Sequence, residues 1–264
     1  LSPMIHDQFA RQCDIRLNYS RIQVDPGGFH QAVSHFSAHG GAGLNITVPF
    51  KQDAWDFCRQ GVNRLTERAE IARAVNTLAF TRDEGTLGDN TDGAGLLRDI
   101  EYNLGFRLKG KGVLVIGAGG AARGVIQPLL CAGPTRIHVV NRTESRARQL
   151  VEQFAHGSDG RLSAGPLGSV DEAFELVINA TAASLDHAVP EISPVCITDD
   201  TTAYDMMYGK EPTAFMGWAV AHGAGATSDG LGMLVEQAAE SFLLWHGVRP
   251  DTAAVINLLR NGNH

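Results

Sequence analysis

The chain has 264 residues, 44% of them apolar and 19% charged, and a formal net charge of −7. That is apolar material for one large core or two modest ones, which excludes a disordered chain. The acidic balance excludes a general binder of nucleic-acid backbones and leaves room only for a local basic pocket that takes a small anion.

The chain opens at Leu1 rather than Met, which predicts residues upstream. No apolar run reaches the length of a membrane span, and no basic-flanked apolar leader is visible. The cysteines Cys13, Cys58, Cys131 and Cys196 have no metal-ligand spacing. They read as reduced thiols of a cytoplasmic protein that holds no metal and binds neither membrane nor nucleic acid.

Over residues 41–50, Leu44, Ile46 and Val48 alternate with polar neighbours and predict a half-buried strand closed by Pro49. Residues 51–73 read as helix. Residues 75–80 and 86–87 read as strands about a turn at Asp83-Glu84-Gly85. The run Val113-Leu114-Val115-Ile116 is apolar throughout, as suits a strand covered on both faces. A glycine-rich loop and a helix to about Ala132 follow. A second strand, Ile137–Val140, ends at Asn141-Arg142-Thr143, and a helix covers Glu144 to Ala155. Leu176–Asn179 and Thr202–Asp205 are further short strands. Leu231–His246 is one long apolar helix, with a shorter one after Pro250. Strands alternating with helices predict a parallel sheet with right-handed crossovers.

Three groups of residues carry candidate chemistry. The loop Gly117-Ala118-Gly119-Gly120-Ala121-Ala122 follows a strand and opens a helix. It is either a ligand-free turn or a dinucleotide cradle, and its position favours the cradle, where backbone amides and the helix dipole meet a pyrophosphate. At the end of the second strand, where an NAD site places an acid for the ribose hydroxyl, stand Asn141, Arg142 and Thr143, with Arg146 beyond. Arginine there suits a 2′-phosphate and favours NADP(H) over NAD, although a lone arginine can also be a solvated helix start. Lys51 and Asp92 follow turn-like segments. Taken alone they read equally as a solvated lysine and a helix cap.

Taken in order, the motifs resemble one family. They are Ser2-Pro3-Met4-Ile5-His6, Asn45-Ile46-Thr47-Val48-Pro49-Phe50-Lys51, Ala74-Val75-Asn76-Thr77, Gly88-Asp89-Asn90-Thr91-Asp92-Gly93, the loop at Gly117, Asn141-Arg142-Thr143, Tyr204-Asp205-Met206-Met207-Tyr208 and Asp229-Gly230-Leu231-Gly232-Met233-Leu234. Over essentially its whole length the chain resembles the shikimate dehydrogenase family, in its NADP-dependent biosynthetic type. The resemblance implies two α/β domains around a cleft, the second a Rossmann-like doubly wound parallel sheet. It implies a substrate-binding catalytic domain over 1–92, an NADP-binding domain over 93–230, and C-terminal helices over 231–264 that return to the substrate domain. The first strand, and the first of the family's paired serines, would precede Leu1. The segment Asn179-Ala180-Thr181-Ala182-Ala183-Ser184 departs from the family's serine and glycine after the threonine.

The implied activity is reversible NADPH-dependent reduction of 3-dehydroshikimate to shikimate, a step toward chorismate and the aromatic amino acids. A cytoplasmic monomer or homodimer would carry it out. Lys51 and Asp92 would be catalytic. Ser2, Thr47, Asn76, Asp92, Tyr208 and Gln237 would bind substrate. Gly117, Ala118, Gly119, Gly120, Ala121, Asn141, Arg142, Thr143, Arg146, Thr181, Met206 and Gly230 would bind cofactor. Gln237 shares a helix face with Gly230, Leu234 and Ser241 and needs a partner there, either substrate or protein. His6 reads as structural. Proton transfer by Lys51 calls for burial and an electrostatic role calls for a neighbouring carboxylate, so both stay open. The alternatives are a quinate/shikimate dehydrogenase using NAD, another dehydrogenase of this architecture such as a methylene-tetrahydrofolate dehydrogenase, and an NADP-binding protein without turnover.

Overall fold

The computed structural model describes residues 1–81 and 85–262. The chain divides into two compact units, one of Leu1–Gly95 with Val235–Asn263 and one spanning Leu96–Leu234. Two of the three residues of the turn expected at Asp83-Glu84-Gly85 lie outside the described residues, as do the last two of the C-terminal segment.

The first unit contains helices α1 (Ser2–Gln12) and α2 (Phe29–Ala38), strand β1 (Gly43–Asn45), helix α3 (Lys51–Cys58), strand β2 (Arg64–Leu65), helix α4 (Glu67–Ala72), strands β3 (Thr77–Thr81) and β4 (Gly85–Asp89), and the start of helix α5 (Asp92–Arg98). Its described strands form a mixed sheet in the order β1-β3-β4-β2. The first two pairings are antiparallel and the last is parallel.

Two local expectations are corrected here. The strand predicted over Leu44–Val48 stops at Asn45. Beyond it the Phe50 N–H bonds the Thr47 carbonyl, a turn that leaves Val48 81% exposed rather than half-buried. The alternation of Leu44, Ile46 and Val48 therefore continues past the strand it appeared to mark. The single helix predicted over 51–73 is two helices separated by β2. The first ends at Cys58 with Arg59 as its C-cap, Gly61 at φ +64° keeps the helix from resuming, and the Thr66 side chain caps the Ala69 N–H to start α4 afresh.

The second unit contains strand β5 (Gly112–Ile116), helix α6 (Gly120–Cys131), strand β6 (Arg136–Asn141), helix α7 (Glu144–Gln153), strands β7 (Leu162–Pro166), β8 (Leu176–Asn179) and β9 (Thr202–Asp205), helix α8 (Ala214–Ala221) and strand β10 (Ala226–Ser228). Its described strands form an all-parallel sheet in the order β10-β9-β8-β5-β6-β7. All four residues of the predicted run Val113–Ile116 are fully buried. Leu114 and Ile116 pack with Val140, Val177 and Phe215. Each large side chain removed from water in this way contributes about 2 kcal/mol. The strand order reverses at β5. This is the switch point outside whose carboxyl edge ligands bind in doubly wound sheets.

Helix α9 (Leu231–His246) follows, as the apolar run predicted, and α10 (Ala253–Asn261) ends the described chain. Among the described residues no helix is long and apolar enough to cross a membrane.

Candidate active site

In the first unit, Lys51 is the first residue of α3 and Asp92 the first of α5. The Lys51 ammonium lies 2.7 Å from Asp92 Oδ2, with side-chain exposures of 26% and 6%. A helix N-terminus favours the carboxylate and opposes the ammonium, so the ion pair holds at α3 a cation that α3 itself disfavours. Asp92 is not the helix cap that its turn suggested. Asn90 Oδ1 accepts the Asp92 N–H at 3.1 Å, which leaves the Asp92 carboxylate for other partners.

The other oxygen of Asp92 accepts from Asn76 Nδ2 at 2.8 Å, and the same amide nitrogen reaches Gln237 Oε1 at 3.0 Å and Thr91 Oγ1 at 2.9 Å. Asn76 is 2% exposed. Its orientation is fixed because Oδ1 accepts the Thr91 backbone N–H, which can only donate, so Nδ2 must face the carboxylate. Gln237 thus has a protein partner through its oxygen, while among the described residues its Nε2 has no acceptor.

Behind Asn76 lies a polar layer that the sequence did not mark as functional. Thr77 Oγ1 donates to Asn76 Oδ1 at 2.9 Å. Asn45 Nδ2 donates to Ser241 Oγ at 2.9 Å and to Thr77 Oγ1 at 3.3 Å, and the Tyr19 hydroxyl donates to Asn45 Oδ1 at 2.8 Å. A second strut lies beneath the turn that carries Asp92. Arg68 makes a bidentate pair with buried Asp89 and a further bond to Glu240, and Asp89 Oδ1 accepts the Asn90 N–H at 2.7 Å. Asn45, Thr77, Asp89 and Asn90 lie in motifs marked in the sequence, whereas Tyr19, Arg68, Glu240 and Ser241 lie in none of them, and only contacts across the chain give these four a role.

Ser2 begins α1, and Thr47 is exposed, with one long 3.5 Å contact to the Val48 carbonyl. Among the described residues neither is hydrogen-bonded to the Lys51 network. Tyr208 belongs to the second unit and is 41% exposed.

His6 is fully buried in this unit, stacked on Tyr19 at 4.3 Å and 5.3 Å from Trp245, with no hydrogen-bond partner among the described residues on either ring nitrogen. Burial drives its pKa from the ordinary 6.5 down to about 4. The Asn45 side chain opposes this and His246 adds to it. Between these values the unfolded chain binds the proton and the folded chain does not, so stability rises with pH across the window. The stability contributed by neutral His6 is therefore complete above 6.5, is lost as pH falls, and is gone below 4. It amounts to roughly 3 kcal/mol. Urea unfolding at stepped pH is expected to show this slope in the parent and a shallower one in His6→Phe. Equal slopes would show that His6 is not the titrating group.

In the second unit, Gly117 follows β5 with φ +112°. A Cβ there would lie 3.0 Å from Thr181 Cγ2 and 3.2 Å from the Ala180 carbonyl oxygen, so both conformation and crowding require glycine. Gly119 and Gly120 differ, since a Cβ on either would meet nothing within 4 Å. Protein packing does not require glycine at these two positions. The open space above them, beside first-turn amides that have no intrahelical acceptor, is what a pyrophosphate cradle needs.

At the end of β6, Asn141 Nδ2 bonds the Thr143 carbonyl at 2.9 Å. Arg142 and Arg146 are exposed and have no acidic partner among the described residues, while the nearby Glu144 is engaged by Arg148. This donor set is cationic where a ribose hydroxyl would call for an acid, and it fits a 2′-phosphate. Thr181 and Met206 follow β8 and β9. Gly230 gives its N–H to the Met207 carbonyl at 3.0 Å, and a Cβ on it would strike the Met206 carbonyl at 2.3 Å.

Three family models match the chain: shikimate dehydrogenase substrate binding domain over residues 1–78, shikimate/quinate 5-dehydrogenase over 100–189, and shikimate 5′-dehydrogenase C-terminal domain over 230–260. The shikimate dehydrogenase (NADP(+)) of a Janthinobacterium species is 53% identical over 260 residues, covering 98% of this chain and 92% of that protein. Among solved structures, an Ael1 enzyme from Pseudomonas putida superposes with a TM-score of 0.91 at 41% identity, covering all of this chain and 94% of the other. The shikimate 5-dehydrogenase of Thermus thermophilus, solved in complex with NADP(H) and shikimate, superposes with a TM-score of 0.85 at 30% identity, covering 98% of this chain and 93% of the other.

Proposed function

Because the chain belongs to the shikimate dehydrogenase family, we propose that it catalyses the reversible NADP-dependent interconversion of shikimate and 3-dehydroshikimate, a step toward chorismate and the aromatic amino acids. The observation that carries this reading is the Lys51–Asp92–Asn76–Gln237 network, in which an ammonium, a carboxylate and two carboxamides meet. Such a set suits a polyhydroxylated ring, with acceptors and donors for neighbouring hydroxyls and a cation for the one that reacts.

Oxidation removes a hydride from the ring carbon and a proton from its oxygen. NADP+, when bound, supplies the hydride acceptor. Lys51 holds the developing alkoxide as an ammonium, or takes the hydroxyl proton where it starts as the neutral amine, and Asp92 holds Lys51 in place while binding a neighbouring hydroxyl. Asn76 and the free Nε2 of Gln237 bind further hydroxyls. Thr47, Ser2 and Tyr208 are assigned to the carboxylate and the remaining ring hydroxyls. Gly117, Ala118, Gly119, Gly120 and Ala121 hold the pyrophosphate, Asn141, Arg142, Thr143 and Arg146 the 2′-phosphate, and Thr181, Met206 and Gly230 the remainder of the cofactor. Residues 1–92 and 231–264 serve the substrate and 93–230 the cofactor. We place the enzyme in the cytoplasm, in keeping with its four free cysteines.

Reduction of NADP+ by shikimate, followed as reduced-nicotinamide absorbance, tests the reading, with NAD+ and quinate as controls. Rapid turnover is expected for shikimate with NADP+. Comparable rates with NAD+ or quinate would identify a relaxed quinate/shikimate enzyme, and binding of NADP+ without turnover on any pair would overturn catalysis. Arg142→Ala is expected to raise KM for NADP+ by roughly 10- to 100-fold, the scale of a lost charge-assisted phosphate contact, without altering KM for NAD+. An equal effect on both cofactors would remove Arg142 from the phosphate site.

A further inference from the structure

Resting on that reading, we infer that Asp205, together with Asn179 and Ser184, is a positioning group for NADP, holding in shape the two loops that carry Thr181 and Met206. Asn179 and Asp205 are the last residues of the neighbouring parallel strands β8 and β9, stand opposite each other in register, and are both fully buried. Asp205 Oδ1 accepts from Asn179 Nδ2 at 3.2 Å and from the Met207 N–H at 3.0 Å, and Oδ2 accepts from Ser184 Oγ at 2.6 Å. Asn179 Oδ1 accepts both the N–H and the hydroxyl of Thr181, at 3.1 and 2.7 Å. One carboxylate–carboxamide pair therefore sets the backbone that leaves both strands.

Each loop in turn abuts a part of the cofactor cradle. Thr181 Cγ2 lies where a Cβ on Gly117 would press, and the Met206 carbonyl lies against Gly230. A buried carboxylate is a costly way to hold a loop that apolar packing could hold, which points to position rather than stability as its use. The departure at Ala182-Ala183-Ser184 has a structural sense here, because Ser184 supplies the hydroxyl that reaches the carboxylate.

The experiment measures NADP+ affinity by titration calorimetry, thermal midpoint and steady-state kinetics for Ser184→Ala, Asp205→Ala and Asp205→Asn. Ser184→Ala is expected to weaken NADP+ roughly tenfold, the scale of one hydrogen bond to a charged group. Its KM for NADP+ should follow, while kcat at saturation changes less than about twofold. Asp205→Asn keeps volume and an acceptor, and its amide can donate to the Ser184 hydroxyl, so it should bind nearly as the parent does. Asp205→Ala should lose more than Ser184→Ala.

If Ser184→Ala lowers the thermal midpoint but binds NADP+ as the parent does, the group is merely structural and the inference falls. Should Asp205→Ala fail to fold, Ser184→Ala and Asp205→Asn still decide. A parent that binds NADP+ without oxidising shikimate overturns the functional reading alone, and a parent that binds no NADP+ overturns both.

Discussion

Lys51→Ala is expected to lower kcat for shikimate oxidation at least ~100-fold, the lower range for loss of a group that transfers the reacting proton or stabilises the developing alkoxide. The ammonium is the cation held against Asp92, 2.7 Å from its carboxylate, and alanine leaves neither a proton carrier nor a positive charge. Because Lys51 is the first residue of a helix that disfavours a cation at that end, its removal should not unfold α3. Circular dichroism and the thermal midpoint check this. Lys51→Arg separates the two roles. Arginine keeps the charge but does not give up a proton near neutrality, so a modest loss in Lys51→Arg points to electrostatic stabilisation and a loss equal to that of alanine points to proton transfer. An alanine variant with kcat intact and only KM for shikimate raised would remove Lys51 from the chemical step.

Asp92→Asn is expected to lower kcat by roughly 100- to 1000-fold with little change in the fold. Asp92 presents two acceptors to two donors, Lys51 Nζ and Asn76 Nδ2. A carboxamide offers one acceptor and one donor, so whichever way it turns, an N–H faces an N–H. Asn76 cannot turn to relieve this, because its oxygen is committed to the Thr91 backbone N–H. The misfit therefore passes to Lys51, which loses both its counter-charge and its anchor. Steady-state kinetics with a parallel thermal midpoint test the expectation. A variant within about tenfold of the parent in kcat would show that the pair is not needed as a pair.

How much of this was legible beforehand differs from element to element. The strand Val113–Ile116 and helix Leu231–His246 could be read because their apolar patterns are long and their boundaries are marked by glycine or a turn. The strand over Leu44–Val48 was overextended because alternation continues past the point where the backbone turns at Thr47–Phe50. The pattern over 51–73 predicts one helix because the stop after Cys58, the left-handed turn at Gly61 and the restart at Thr66 depend on backbone φ and a cap bond. Sequence order placed Lys51, Asn76, Asp92 and Gln237 in one resemblance. Nothing in it foretold that Asn76 would bond Asp92 and Gln237 with one nitrogen, or that Asn45 would meet Ser241 across 196 positions.

By itself, then, the sequence determined the alternation of strand and helix in the second unit, the glycine loop between β5 and α6, and the absence of an acid at the end of β6. These are local properties, set by a residue's neighbours within a few positions. Only the tertiary structure decided which polar groups face one another. It oriented Asn76 through Thr91, denied Asp92 the role of helix cap, seated Arg68 between Asp89 and Glu240, and brought Asp205 beside Asn179 and Ser184. The physical reason is that a buried polar atom must find its partner wherever the packing of strands and helices places one, and that placement depends on register and docking between segments far apart in the chain.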